Sequence, residues 1–213
     1  MIDEMAYAGP EHLDAAFVAG FDRKQGYPDP AADLDALAAQ GLGAGSAVVD
    51  LGTGTGQFAL AAARRFGHVT AVDVSPAMLD LLRERAASAG LGNLDCVRAG
   101  FLSYQHSGPP ADAVYTRHAL HQLPDFWKAL ALDRIARMLR PGGVLRLRDL
   151  IYDFRPAETE DVFRGGLGPC PWWYIPESGS YHHSKLTRQG PAEPAIHRRK
   201  EVAAPAFPVG PGV

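Results

Sequence analysis

Two carboxylates and a run of glycines carry the first chemical signal in this chain. Gly52, Gly54 and Gly56 alternate with Thr53 and Thr55 directly after Asp50 and Leu51, and Asp73 follows 21 residues after Gly52. Glycine lets backbone approach a ligand closely, because no Cβ intervenes and positive φ costs little. A carboxylate about 20 residues beyond such a turn accepts hydrogen bonds from both hydroxyls of a ribose. Together they point to an adenosine-containing cofactor. A second constellation, Arg117, His118 and His121, sets one cation and two imidazoles within five positions. Histidine is a candidate base near neutral pH. His121 serves equally well as a structural residue that bonds backbone and fixes a loop.

The glycines alone leave two cofactors open. Gly54, Gly56 and Ala59 also fit the G-x-G-x-x-G/A pattern of dinucleotide sites, with Asp73 as the ribose carboxylate, which keeps a nucleotide-dependent oxidoreductase in view. Asp50 argues the other way. A carboxylate aimed at the glycine turn repels a pyrophosphate and attracts a cation such as a sulfonium amino acid, which favours S-adenosyl-L-methionine.

These residues need a frame, and the hydrophobic pattern supplies one. Residues 47–51 read as a short buried strand, the glycine turn follows, and a helix is expected over 57–66. Residues 69–72 form a second strand ending at Asp73. Ser75 and Pro76 give the N-cap and first turn of a helix that Gly90 closes. Further strands are expected over 94–99, 111–116 and 144–150, with a helix over 126–139 and a Pro141-Gly142-Gly143 turn before the last strand. Alternation of this kind predicts an α/β fold: a Rossmann-like, doubly wound, mostly parallel sheet with helices on both faces. Ligands in such sheets bind outside the strands' carboxyl ends, where the strand order reverses, here beside the first and fourth strands.

Three domains are expected: a helical cap over 1–45, a cofactor-binding core over 46–150 and an irregular tail over 151–213. The tail stands apart in composition. Residues 165–213 hold 8 of the 17 prolines and 7 of the 23 glycines, twice the density of the preceding chain, and no aspartate. Little regular structure is expected there.

The string Val48-Val49-Asp50-Leu51-Gly52-Thr53-Gly54-Thr55-Gly56 resembles the first motif of the class I S-adenosylmethionine-dependent methyltransferases. Residues 69–79 are similar to the second motif, and Leu139-Arg140-Pro141-Gly142-Gly143-Val144-Leu145 to the turn into the family's fifth strand. The resemblance covers about residues 45–150. It implies that Asp50, Gly52, Thr53, Gly54 and Gly56 cradle the methionine moiety, that Asp73 holds the ribose and that Val74 flanks the adenine. The family often carries an acidic residue after the third strand, where this chain has Arg98-Ala99-Gly100-Phe101. Gly100 is left to offer backbone groups and Phe101 to pack on the adenine or in the core.

Residues 112–125 resemble the fourth motif of the branch that acts on small molecules, with His121-Gln122-Leu123-Pro124-Asp125 after the strand. Arg117 then contacts the cofactor, and His118 and His121 are the catalytic candidates. Tyr7, Phe17, the 21–24 segment and Tyr27 resemble a lid over the cofactor, an amphipathic helix packed on the sheet being the alternative. Trp172, Trp173 and Tyr174 suit an aromatic wall. The family's strand pair after the fifth strand finds no counterpart in residues 185–213. The fifth strand is therefore expected to be an unprotected edge, with the C-terminal strand pair missing through truncation or an altered reading frame. An impaired S-adenosylmethionine-binding module is accordingly the alternative to an active enzyme.

Composition narrows the partners. The 213 residues carry 21 Lys+Arg against 24 Asp+Glu, a net charge of −3, so no basic excess offers a nucleic-acid track. A small-molecule methyl acceptor is expected instead. No apolar run nears the roughly 20 residues that span a bilayer, and the first residues lack the basic and apolar stretches of a secretory signal, so no membrane partner is expected. Two cysteines, Cys96 and Cys170, without C-x-x-C spacing, fit a reducing cytoplasm. His118 and His121, even with His182 and His183, lack the accompanying ligands of a metal site, and none is expected.

Overall fold

A computed structural model describes residues 2–26, 29–149 and the backbone of 202–203. Strands β1 (Ala47–Leu51), β2 (His68–Asp73), β3 (Leu94–Arg98), β4 (Ala111–Arg117) and β5 (Leu139–Arg148) pair in parallel. Their order is β3-β2-β1-β4-β5. The order reverses between β1 and β4, as the alternating sequence predicts. Pro141, Gly142 and Gly143 lie inside β5 where the register slips, since Ala111 opposes Leu139 while Ala113 opposes Val144. Gly142 adopts φ +76° there.

The period of two along the strands sorts side chains between two cores. Val48, Val69, Ala71, Ala113 and Tyr115 face helices α3 (Ala31–Ala39), α4 (Gln57–Ala63) and α5 (Pro76–Ser88). Val49, Leu51, Val72 and Val114 face helix α6 (Asp125–Met138) and the 101–104 segment. Helices thus cover both faces. Helix α5 begins as its sequence demands: Ser75 Oγ accepts from the Met78 amide, with Pro76 in the first turn.

Ahead of the sheet, α1 (Glu4–Ala8), a short 3₁₀ turn at Pro10–Leu13 and α2 (Ala15–Lys24) precede α3. Asp3 and Asp14 cap α1 and α2 through their carboxylates. Helix α3 is fastened by a buried charge cluster. Arg146 donates twice to Asp33 Oδ1, at 3.0 and 2.9 Å, while Arg148 and Tyr115 donate to Oδ2 at 2.8 and 2.9 Å. Asp33 is fully buried. Burial pushes its carboxyl up, but the bonds from Arg148, Tyr115 and Arg146 outweigh that and hold it below the ordinary carboxylate range.

The edge of β5 departs from expectation. A sixth strand, β6 (Val202–Ala203), pairs antiparallel with it, Arg146 opposite Ala203 and Leu147 opposite Val202. The edge is therefore partly covered, by a pair of residues too short and too Ala-rich to signal a strand. The rest of the tail, with Trp172, Trp173, Tyr174 and Cys170, lies outside the described residues, as does Tyr27. Among the described residues no helix is long and apolar enough to cross a membrane.

Candidate functional site

The carboxyl ends of the central strands open on one cavity at the point of strand reversal. Asp50, Gly52, Thr53 and Gly54 reach it from β1 and its turn, and Asp73 and Val74 from β2. Gly100 and Phe101 line it beyond β3, and Arg117 and His118 at the end of β4.

The glycine turn is folded onto β2. The amides of Gly52 and Thr53 both donate to the Val72 carbonyl, at 2.8 and 3.0 Å. Gly52 adopts φ +73°, and a Cβ there would overlap the side chain of Ala119. Gly54 adopts φ +55° and its amide donates to Asp73 Oδ2 at 2.8 Å, while the Ser75 amide donates to Oδ1 at 2.9 Å. Asp73 thus fastens the turn and still faces the cavity.

Asp50 is 2% exposed and accepts from Thr53 Oγ1 at 2.6 Å. Burial pushes its carboxyl up to about 7; the Thr53 bond opposes this and the nearby Asp73 charge adds to it. Asp73 is also pushed up by burial, against the amides of Ser75 and Gly54 and the neighbouring His12. Two mutually repelling carboxylates in one cavity favour a ligand that brings positive charge to one and hydroxyl donors to the other.

Two expected site residues stand elsewhere. Gly56 does not line the cavity; it starts α4 at φ +81°, where a Cβ would run into the Leu82 side chain. Its glycine is required by helix packing rather than by ligand approach. His121 also lies off the cavity walls. Its Nδ1 sits 2.6 Å from Asp149 Oδ1 and its amide donates to Oδ2 at 2.8 Å, so the 3₁₀ turn at Leu120–Gln122 directs it toward the end of β5. The loop-fixing alternative fits this geometry. His118 does line the cavity, and its φ of +50° is the one left-handed value among the described non-glycine residues. Such a conformation costs of order 1–2 kcal/mol.

Sequence reasoning missed part of the wall. Glu4, His12 and Thr55 line the cavity; Tyr7, Phe21 and Asp22, expected in a lid, line it too, whereas Arg23 does not. Glu4 accepts from the amides of Leu102 and Ser103 and from Ser103 Oγ, tying α1 to the segment after β3. A Cβ at Gly100 would strike that carboxylate. Asp22 pairs with Arg85 at 2.7 Å and accepts from Thr55 Oγ1, joining α2, α5 and the glycine turn. Phe58 stacks on Tyr115 at 3.6 Å between ring centroids, and both border the cavity. Among the described residues no cluster of three or more His, Cys, Asp or Glu is placed to hold a metal.

Residues 48–143 match the family model described as a methyltransferase domain. Among curated relatives, the O-methyltransferase resE of Aspergillus sclerotiorum is 34% identical over 130 residues, covering 57% of this chain and 46% of the relative. The ubiquinone biosynthesis O-methyltransferase of Xylella fastidiosa is 32% identical over 101 residues, covering 47% and 40%. The solved YcgJ protein of Bacillus subtilis aligns with a TM-score of 0.53 at 25% identity, covering 59% of this chain and 53% of that one. Residues 48–143 form a class I S-adenosylmethionine-dependent methyltransferase domain. The chain spans about half the length of the curated relatives it matches. Asp50, the glycines, Asp73, Arg117 and His118 fall inside the matched segment, whereas Glu4, His12, Asp22 and Asp33 precede it.

Proposed function

We propose that this methyltransferase moves the methyl group of S-adenosylmethionine to a small-molecule acceptor. The observation that carries the reading is the pair of carboxylates, Asp50 and Asp73, opening on one cavity either side of a glycine turn. The residues fit the cofactor. Gly52, at positive φ and pressed against Ala119, presents bare backbone to the cavity, Asp73 keeps lone pairs for a ribose, and Asp50 offers negative charge to a cation. Val74, Gly100 and Phe101 border the part of the cavity beyond β2 and β3, where an adenine would lie. Arg117 brings a positive charge to the same wall, which suits it to the cofactor's carboxylate.

The bound cofactor supplies a methyl group already activated on a sulfonium. The protein's share is then proximity, orientation and, for a protonated acceptor, a base. His118 takes that role at the end of β4, its left-handed backbone held by a hydrogen bond of 2.8 Å that its amide donates to the Arg148 carbonyl. His121 positions the same loop through Asp149. Balanced charge and two cysteines support a cytoplasmic enzyme without a nucleic-acid partner.

Parallel calorimetric titration with S-adenosylmethionine, S-adenosylhomocysteine and NAD tests the reading. Binding of the first two is expected, with loss in Asp50→Asn and Asp73→Asn. Binding of NAD alone overturns it. Cofactor binding without turnover across a panel of small acceptors would favour the impaired module instead.

A further inference from the structure

His12 is a half-buried imidazole whose Nδ1 finds no hydrogen-bond partner among the described residues. It lines the cavity from the 3₁₀ turn at Pro10–Leu13. Its ring is set edge-on against Phe17 and Phe21, with centroids at 5.3 and 5.8 Å. Its carbonyl accepts from Ser75 Oγ at 2.5 Å, which ties the 3₁₀ turn to the N-cap of α5, two residues beyond Asp73. Nδ1 itself is sealed from solvent. A sealed N–H without an acceptor is among the rarer defects of folded proteins. A ring with a single N–H therefore carries it on Nε2 and offers the cavity one donor. His12 and Asp73 line the same cavity, and positive charge on the ring, when it is protonated, opposes the upward push on the Asp73 carboxyl.

A ribose diol carries both donors and acceptors, and the ionised Asp73 can only accept. Its hydroxyl protons go to Asp73, which leaves their oxygens in need of a donor. We propose that His12 is a second ribose-binding residue of the cofactor site, its Nε2–H donating to a hydroxyl oxygen whose proton Asp73 accepts. This assignment rests on the cofactor reading above and adds to it a residue outside the matched family segment. It also gives the segment before the sheet a part in recognition: the cofactor's sugar is gripped from two sides, by the end of β2 and by the 3₁₀ turn.

Calorimetry on the full chain with S-adenosylhomocysteine and with its 2′- and 3′-deoxyribose analogues tests this. His12→Phe keeps the ring packing and removes the donor, whereas His12→Gln keeps a donor near the Nε2 position. Wild type is expected to bind S-adenosylhomocysteine more tightly than at least one deoxy analogue. His12→Phe should weaken S-adenosylhomocysteine about three- to tenfold, as for one neutral hydrogen bond, and narrow that discrimination, while His12→Gln stays within about threefold of wild type. Equal weakening of all ligands by His12→Phe, or none, overturns the proposal while leaving the cofactor reading intact. Failure of wild type to bind any of them overturns both. Should His12→Phe not fold, imidazole ¹⁵N spectra of wild type decide. An Nε2–H tautomer whose resonance moves on binding supports the donor role, and an Nδ1–H tautomer overturns it.

Discussion

At the scale of single residues, Asp50 sets stability against function. Its folded carboxyl titrates near 7, well above the ordinary value of 3.8, so the folded state holds its proton more tightly than the unfolded one. Stability then falls as pH rises from about 4 to about 7, by about 1.4 kcal/mol for each pH unit and by at most about 4 kcal/mol in all. Asp50→Asn should therefore melt several degrees higher than wild type at pH 8 and nearly level with it at pH 4, by differential scanning calorimetry. The same substitution should weaken S-adenosylmethionine by at least about tenfold, since a cation loses its buried counter-charge. In wild type the affinity should climb between pH 6 and 8 as Asp50 ionises; in Asp50→Asn that climb should vanish. The glycines separate in the same way. Gly52→Ala, blocked by Ala119, should abolish cofactor binding, whereas Gly56→Ala, blocked by Leu82, should lower the melting temperature while affinity measured on the folded fraction changes little.

At the scale of elements, the chain between 45 and 150 was legible because its signals are local. Val48 and Val49 face opposite cores as period two requires, and Ser75-Pro76 starts α5 where the N-cap rule puts it. Asp33 shows why other parts were not. In α3 it stands two places from Asp35, an identical side chain that is paired on the surface with Arg65. Only the placement of β5, more than a hundred residues later, reveals that Asp33 is the buried one. Glu4 and His12 were hidden for the same reason, as their partners at 100–103 and 73–75 are remote in sequence. The pairing of the His121 imidazole with Asp149 was hidden likewise, because the motif around His121 does not disclose it. Breaking one side of a buried ion pair costs about 3–5 kcal/mol. Asp33→Asn should lose that much in urea denaturation at pH 7. The wild-type contribution of Asp33 should persist down to pH 4 and fade only below it, because its carboxyl is held under the ordinary range.

At the scale of the whole molecule, the sheet order β3-β2-β1-β4-β5 gathers the ends of its strands, α1, the 3₁₀ turn and α2 around one cavity, so ligand and fold share a free energy. A ligand present at 100 times its Kd stabilises by about 2.7 kcal/mol. S-adenosylhomocysteine at that excess should raise the melting temperature by several degrees, with NAD at equal concentration leaving it unmoved; the reverse would contradict the assignment. Asp73 joins these scales, since one of its oxygens pins the Gly54 amide. If Asp73 holds the sugar as proposed, retargeting the site to a donor bearing a 2′-phosphate would call for removal of that acid, and with it the clasp that shapes the glycine turn. Sugar specificity and loop architecture would then be inherited together, and a redesign would have to replace both at once.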